Sequence, residues 1–311
     1  MEKYLYKKTP PIKEYYLKVD RIHSLYVSHY GSPNKPVVIF LHGGPGGGSD
    51  PVFSRLFNSR QYHVIVFDQR GCGKSRPLGE LKNNNTTQLI LDIEKIRVAN
   101  NFDKIILSGG SWGAALSLLY AIKYPQNVSY YIISGLCLMD DPQGEVFTPS
   151  LKVMYPELWN NYLSLSSKKK PLDRVKHYFQ EIKKGQKRYI NTWFRLEDQT
   201  RSIDPDSRKS NKRTQTQKRI IALMESYYYS QRFFLPSNYI LNNISKISGI
   251  PGVLIHGRLD VICNPEDSYR VAEKLPQAKL CLIQKAGHSF SDPPITKAIV
   301  QATRELSKKA C

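Results

Sequence analysis

No stretch of this 311-residue sequence stays apolar for the roughly 18 residues that a membrane-spanning helix needs. The opening residues, Met1 to Lys8, lack an apolar signal core, so a soluble, cytoplasmic chain is expected. Cysteine is sparse. Five residues (Cys72, Cys137, Cys263, Cys281 and Cys311) form an odd number without metal-type pairs, which fits reduced thiols rather than a disulfide framework. The seven histidines show no His-Glu-x-x-His spacing, so neither metal nor other cofactor is expected. Internal repeats and long low-complexity segments are missing as well.

Negative charge is also scarce. Lys and Arg number 46 against 26 Asp and Glu, a formal net charge of +20. The excess is partly local, with Lys168-Lys169-Lys170, Lys183-Lys184 and Arg208-Lys209 in one region. Such a balance attracts anions non-specifically. No nucleic-acid motif accompanies it, so it reads as a solvated, lysine-rich surface, with neither nucleic acid nor membrane as partner. Gly71-Cys72-Gly73-Lys74-Ser75 looks like half a phosphate loop, but Asp68 stands where the first glycine is needed. A carboxylate there repels phosphate, which argues against nucleotide binding.

What is present is alternation. Tyr15–Val19 and Leu25–His29 read as early antiparallel strands. Val37–Leu41, Val64–Phe67, Ile105–Leu107 and Tyr131–Ile133 are continuous apolar runs, as buried strands are, and Thr86–Asn101 has helical spacing. Strands alternating with helices imply an α/β protein with a mostly parallel sheet covered on both faces. The pattern breaks near Asp140. From there to about Lys246 the chain is polar, aromatic and lysine-rich, with helical stretches at Val175–Ile182 and Thr216–Tyr229. It resumes at Gly252–His256 and Leu280–Ile283. The simplest account is a core of residues 1–139 and 247–311 carrying an inserted helical cap, 140–246, over the carboxyl ends of the strands.

Gly109-Gly110-Ser111-Trp112-Gly113 lies between an apolar strand and a helical run, the context of a nucleophile elbow. A serine needs a general base, and the base an orienting acid. Asp260, in His256-Gly257-Arg258-Leu259-Asp260, and His288, in Ala286-Gly287-His288-Ser289, each follow a late strand. The order Ser111, Asp260, His288 is that of the α/β-hydrolase triad. Asp140 and Asp141 are rivals for the acid; Asp260 is preferred for its tight turn after a strand. His42 and His256 read as structural. His42-Gly43-Gly44-Pro45-Gly46-Gly47-Gly48 follows the first buried strand, and the Gly44 and Trp112 N–H groups are expected to form an oxyanion hole.

These segments, together with Asp68-Gln69-Arg70-Gly71-Cys72-Gly73-Lys74-Ser75 and Ile250–Val261, resemble the prolyl aminopeptidases (proline iminopeptidases) over nearly the whole chain. The resemblance implies an α/β-hydrolase fold and removal of an N-terminal residue, preferably proline, from small peptides with a free N-terminus, through an acyl-enzyme. It also implies that two cap glutamates hold the substrate's amino group. They correspond to Glu197, in Trp193-Phe194-Arg195-Leu196-Glu197, and Glu225, in Leu223-Met224-Glu225-Ser226-Tyr227-Tyr228. Read without it, these are solvated helix charges. Leu196 replaces the family's second tryptophan, and Cys137 replaces a phenylalanine of the proline pocket, leaving Phe147 as a further lining residue. An esterase or amidase with a different acyl pocket remains the alternative enzyme, and a binder using the basic cap the alternative class.

Overall fold

The apolar runs form the centre of a single sheet. The structure is a computed structural model that describes residues 1–139, 148–203 and 213–309. Phe147, Asp140 and Asp141 lie outside the described residues. The strands are β1 (Lys13–Lys18), β2 (Ser24–Gly31), β3 (Val37–Leu41), β4 (His63–Phe67), β5 (Ile105–Gly110), β6 (Val128–Ser134), β7 (Gly252–Gly257) and β8 (Ala278–Ile283). Their spatial order is β1-β2-β4-β3-β5-β6-β7-β8. β1 and β2 pair antiparallel, as does β2 with β4, and every later pairing is parallel.

Alternation along each strand splits the core in two. Ile39, Leu41, Ile65, Phe67, Leu107 and Ile133 pack on one face, against helices α1 (Thr86–Ala99) and α2 (Trp112–Lys123). Val38, Phe40, Val64, Val66, Ile106 and Ile132 pack on the other, with Ile295 and Ile299 of the C-terminal helix Pro293–Lys309. A strand buried on both faces has no polar side to show, which is why these runs are apolar throughout.

Between β6 and β7 the described chain is helical: α3 (Pro149–Met154), α4 (Pro156–Ser164), α5 (Pro171–Lys183), α6 (Lys187–Thr200), α7 (Gln215–Ser230) and the short α8 (Tyr239–Asn243). Proline opens α3, α4 and α5, where its missing N–H costs nothing. Thr214 caps α7, and Gln217 returns the bond to the Thr214 N–H, a reciprocal capping box. These helices bury a core of their own, with Leu158, Tyr162, Val175, Tyr178, Trp193 and Leu196 in it. Leu196 is therefore a packing residue.

Helix α7 ties the helical layer to the sheet. Its Tyr228 hydroxyl donates to Asn84 Oδ1 at 2.8 Å. Its Met224 lies so close to Gly46 that a Cβ there would stand 2.7 Å from the methionine Cβ. Among the described residues no helix is long and apolar enough to cross a membrane.

Candidate active site

The loops that leave β3, β4, β5, β7 and β8 at their carboxyl ends carry His42–Gly48, Asp68–Ser75, Ser111, Asp260 and His288. A parallel sheet brings all of these ends to one rim. Ser111, the turn residue between β5 and α2, has φ 56° and ψ −125°, a backbone region that costs a non-glycine residue energy. Its neighbours show why the turn needs glycines. A Cβ on Gly113 would stand 2.0 Å from the Leu41 carbonyl oxygen, and one on Gly109 2.7 Å from the same atom. The elbow thus packs directly against the end of β3. The Ser111 N–H donates to the Ser134 carbonyl at 3.0 Å, tying the turn to β6.

Asp260 is fully engaged. Its Oδ1 accepts the N–H groups of Ile262 and Cys263, each at 2.9 Å. Its Oδ2 accepts from His288 Nδ1 at 2.7 Å and faces His256 Nε2 at 3.1 Å. Burial alone would raise the carboxyl's pKa, but the His288 charge and the bonds from His256 and His288 hold it well below the ordinary range. For His288, burial pushes the imidazole down. The charge and hydrogen bond of Asp260 outweigh this, with Glu197 and Asp292 adding to them, and the imidazole ends above its usual value. His256 is anchored on its other side by Ser268 Oγ, 2.7 Å from its Nδ1.

The glycine loop is held by a residue that the sequence motifs left without a role. Gln69 donates its backbone N–H to His42 Nε2 at 3.0 Å and its side-chain amide to the His42 carbonyl at 2.8 Å. Its Oε1 accepts from Trp112 Nε1 at 3.0 Å. One buried amide side chain therefore fixes both the loop after β3 and the residue after Ser111. Asp68, beside it, is committed to the N–H groups of Ser49 and Lys74, at 2.5 and 2.7 Å. Arg70 is buried in a fork to Asp92, at 2.6 and 2.7 Å, and also reaches Asp20 at 2.5 Å. The Asp-Gln-Arg-Gly-x-Gly segment is thus structural support for the rim.

Ser111 and His288 line one cavity of about 160 Å³, together with Gly43, Gly44, Glu197 and Glu225. Trp112 adjoins it at the first position of α2. Glu197 comes from α6 and Glu225 from α7. Burial and the adjoining Glu197 carboxylate push Glu225 well above the ordinary carboxylate range, against the pull of Trp193 and Arg213. Trp193 Nε1 donates to Glu225 Oε2 at 2.7 Å. A cation bound beside Glu225 would oppose this shift and favour its ionised form. Sequence reading placed Trp193 only as a neighbour of Glu197; its bond to Glu225 appears only in the fold. Cys137 is not among the residues lining this cavity. Its thiol instead adjoins those around Cys263 and Tyr229. Among the described residues no group of His, Cys, Asp and Glu side chains could hold a metal ion.

This sheet topology and rim define the class. A family model described as the alpha/beta hydrolase fold matches residues 36–293. An esterase from a Rhodococcus species superposes with a TM-score of 0.67 at 15% identity, over 96% of this chain and 99% of that one, a likeness of fold alone. Sequence relatives go further. A "Probable proline iminopeptidase" from Leptolyngbya boryana is 32% identical, over 96% of this chain and 95% of the relative. A proline iminopeptidase from Neisseria meningitidis is 31% identical, over 97% of this chain and 98% of its own length. The chain belongs to the proline iminopeptidase family of α/β-hydrolases.

Proposed function

We propose that this protein is a serine aminopeptidase that releases the N-terminal residue, preferably proline, from small peptides. The observation that carries the reading is the Glu197–Glu225 pair in the same cavity as Ser111 and His288. A hydrolase of uncharged esters has no use for two carboxyls, one of them buried, in the cavity of its nucleophile. An ammonium group does: it stabilises both carboxylates ionised and donates charge-assisted hydrogen bonds to them. The preference for proline is taken from the relatives. Phe147 is assigned to the wall that the proline ring meets; Cys137, outside the cavity lining, is not.

In this reading the ammonium of the first residue sits between Glu197 and Glu225. Ser111 Oγ attacks the first carbonyl carbon, and its proton passes to His288 Nε2. Asp260 holds Nδ1–H in place and stabilises the imidazolium. The N–H groups of Gly44 and Trp112 donate to the oxyanion. The carbon–nitrogen bond then breaks as the imidazolium protonates the leaving amine. A water molecule, deprotonated by His288, adds to the acyl ester; release of the acid returns the proton to Ser111. No metal or cofactor takes part. Residues 140–246 act as the cap that bounds the cavity, and free thiols at Cys72, Cys137, Cys263 and Cys281 suit a cytoplasmic setting.

The test is a panel of aminoacyl nitroanilides carrying proline, alanine and larger residues, each free and N-blocked. Wild type should cleave the free forms, proline fastest, and Ser111→Ala should lose turnover while melting normally. Glu225→Gln should lose far more on free amines than on blocked ones. Equal turnover of free and blocked substrates by wild type would favour the esterase or amidase reading, and turnover by Ser111→Ala would sink the nucleophile.

A further inference from the structure

The catalytic cavity has an exit. A groove of about 1070 Å³ runs from it past the N-terminal segment, and the two share Gly47, Gly48, Phe53, Arg213, Ile221 and Phe290. Arg213 is the charged residue of that junction. It precedes the Thr214 cap of α7, and its Nη1 donates to the Gly47 carbonyl at 3.2 Å. It has no carboxylate partner among the described residues. Its charge acts on both Glu225 and His42.

Most other charges of the groove are engaged. Arg55 pairs with Glu2 at 2.7 Å, and Lys74 Nζ bonds to the Tyr26 hydroxyl at 3.0 Å. Glu14 accepts from the same hydroxyl. Asp68 is held by backbone N–H groups, and Asp50 caps the turn at Val52. Lys8 is exposed and lines the groove alone, away from the cavity. One guanidinium without a carboxylate partner among the described residues thus stands where the cavity and the groove meet.

With its amino group at Glu225 and its first carbonyl at Ser111, a dipeptide has little chain left. Its carboxylate lies one residue, at most about 3.6 Å of chain, beyond the scissile bond. We infer that Arg213 is the receptor for this carboxylate, and that the substrates this site favours are short peptides with a free C-terminus, dipeptides first. The planar fork of arginine suits a carboxylate, and the partly enclosed setting strengthens the bond. The free cation offsets the acidic amino-group anchor, so the two ends of a zwitterionic dipeptide meet opposite charges. The inference rests on the aminopeptidase reading and specifies its leaving side.

The experiment compares Pro-Ala, Pro-Ala-amide and Pro-Ala-Ala-Ala with wild type, Arg213→Gln and Arg213→Lys, reading kcat/KM for proline release. Wild type should prefer the free dipeptide over its amide by about tenfold or more, the range of one charge-assisted hydrogen bond. Arg213→Gln should bring the ratio within about twofold, whatever it does to the amide itself, and Arg213→Lys should give an intermediate ratio. A wild-type ratio near one overturns the assignment, as does a ratio that Arg213→Gln leaves intact. If the glutamine variant is inactive on both or melts early, the lysine variant decides: a reduced ratio supports the receptor, an unchanged one refutes it. Preference for the longer peptide over Pro-Ala would also refute it. Failure of wild type to release proline from any of the three would strike the aminopeptidase reading instead.

Discussion

Replacing Asp260 with Asn changes one atom and should disable the base without dismantling the site. The carboxylate has two oxygens with different work. Oδ1 accepts two backbone N–H groups at 2.9 Å, and Oδ2 meets His288 at 2.7 Å and His256 at 3.1 Å. An amide offers one oxygen and one NH₂. Its oxygen must stay on the two backbone donors, because an NH₂ turned there would oppose both. The NH₂ therefore faces the imidazoles, and His288 Nδ1 must become an acceptor. Its proton then moves to Nε2, the atom that has to take the proton of Ser111. The variant should lose about four orders of magnitude in kcat, as expected for a triad locked in the wrong tautomer. Weakening two bonds to an ionised group should cost about 2 kcal/mol of stability. Steady-state turnover of prolyl nitroanilide and a thermal melt separate the two effects. A folded variant that kept more than a tenth of wild-type kcat would refute the assignment of Asp260.

Two further expectations concern the scaffold. Gly113→Ala should destabilise the fold by about 3 kcal/mol or more and abolish activity, because its Cβ would overlap the Leu41 carbonyl. Gly249→Ala, with no atom within 4 Å, is the control, and equal melting temperatures for the two would contradict the packing argument. His29 and His63 are buried side by side, with Nδ1 and Nε2 3.1 Å apart. Burial first, then the charges of His63 and Lys13, lowers His29 from 6.5 to about 4. Between those values the unfolded chain binds more protons, so stability is full above pH 6.5 and falls as the pH drops toward 4. The loss is at most about 3 kcal/mol. His29→Leu should flatten this slope in melts between pH 7 and 5; an unchanged slope would assign the acid sensitivity elsewhere.

Much of the fold was legible in the residues. Val37–Leu41 is β3 to the residue, and the other apolar runs became the inner strands with their ends shifted by at most three positions. Doubly buried strands announce themselves, because both faces must be apolar. The Ser111 elbow was legible for a similar reason: close approach of β5, α2 and the end of β3 admits only glycine on either side. Asp260 and His288 could be picked out as candidates because the topology sends residues after parallel strands to a common rim, and the structure pairs them there.

Other features had no local trace. Gln69 is one polar residue among many until the fold sets it between His42 and Trp112. Leu196 and Glu197 are consecutive on one helix, yet one packs in the core of the helical layer and the other lines the cavity. Cys137 stands outside the cavity lining, because the chain after β6 carries it toward Cys263. Sequence by itself determined the sheet, the elbow and the placing of Asp260 and His288 after late strands, since these follow from local sterics and burial repeated along the chain. Tertiary structure alone decided which charges share a cavity. Glu197, Glu225 and Arg213 come from segments far from Ser111 in the chain, and only the packing of α6 and α7 over the rim brings their charges together.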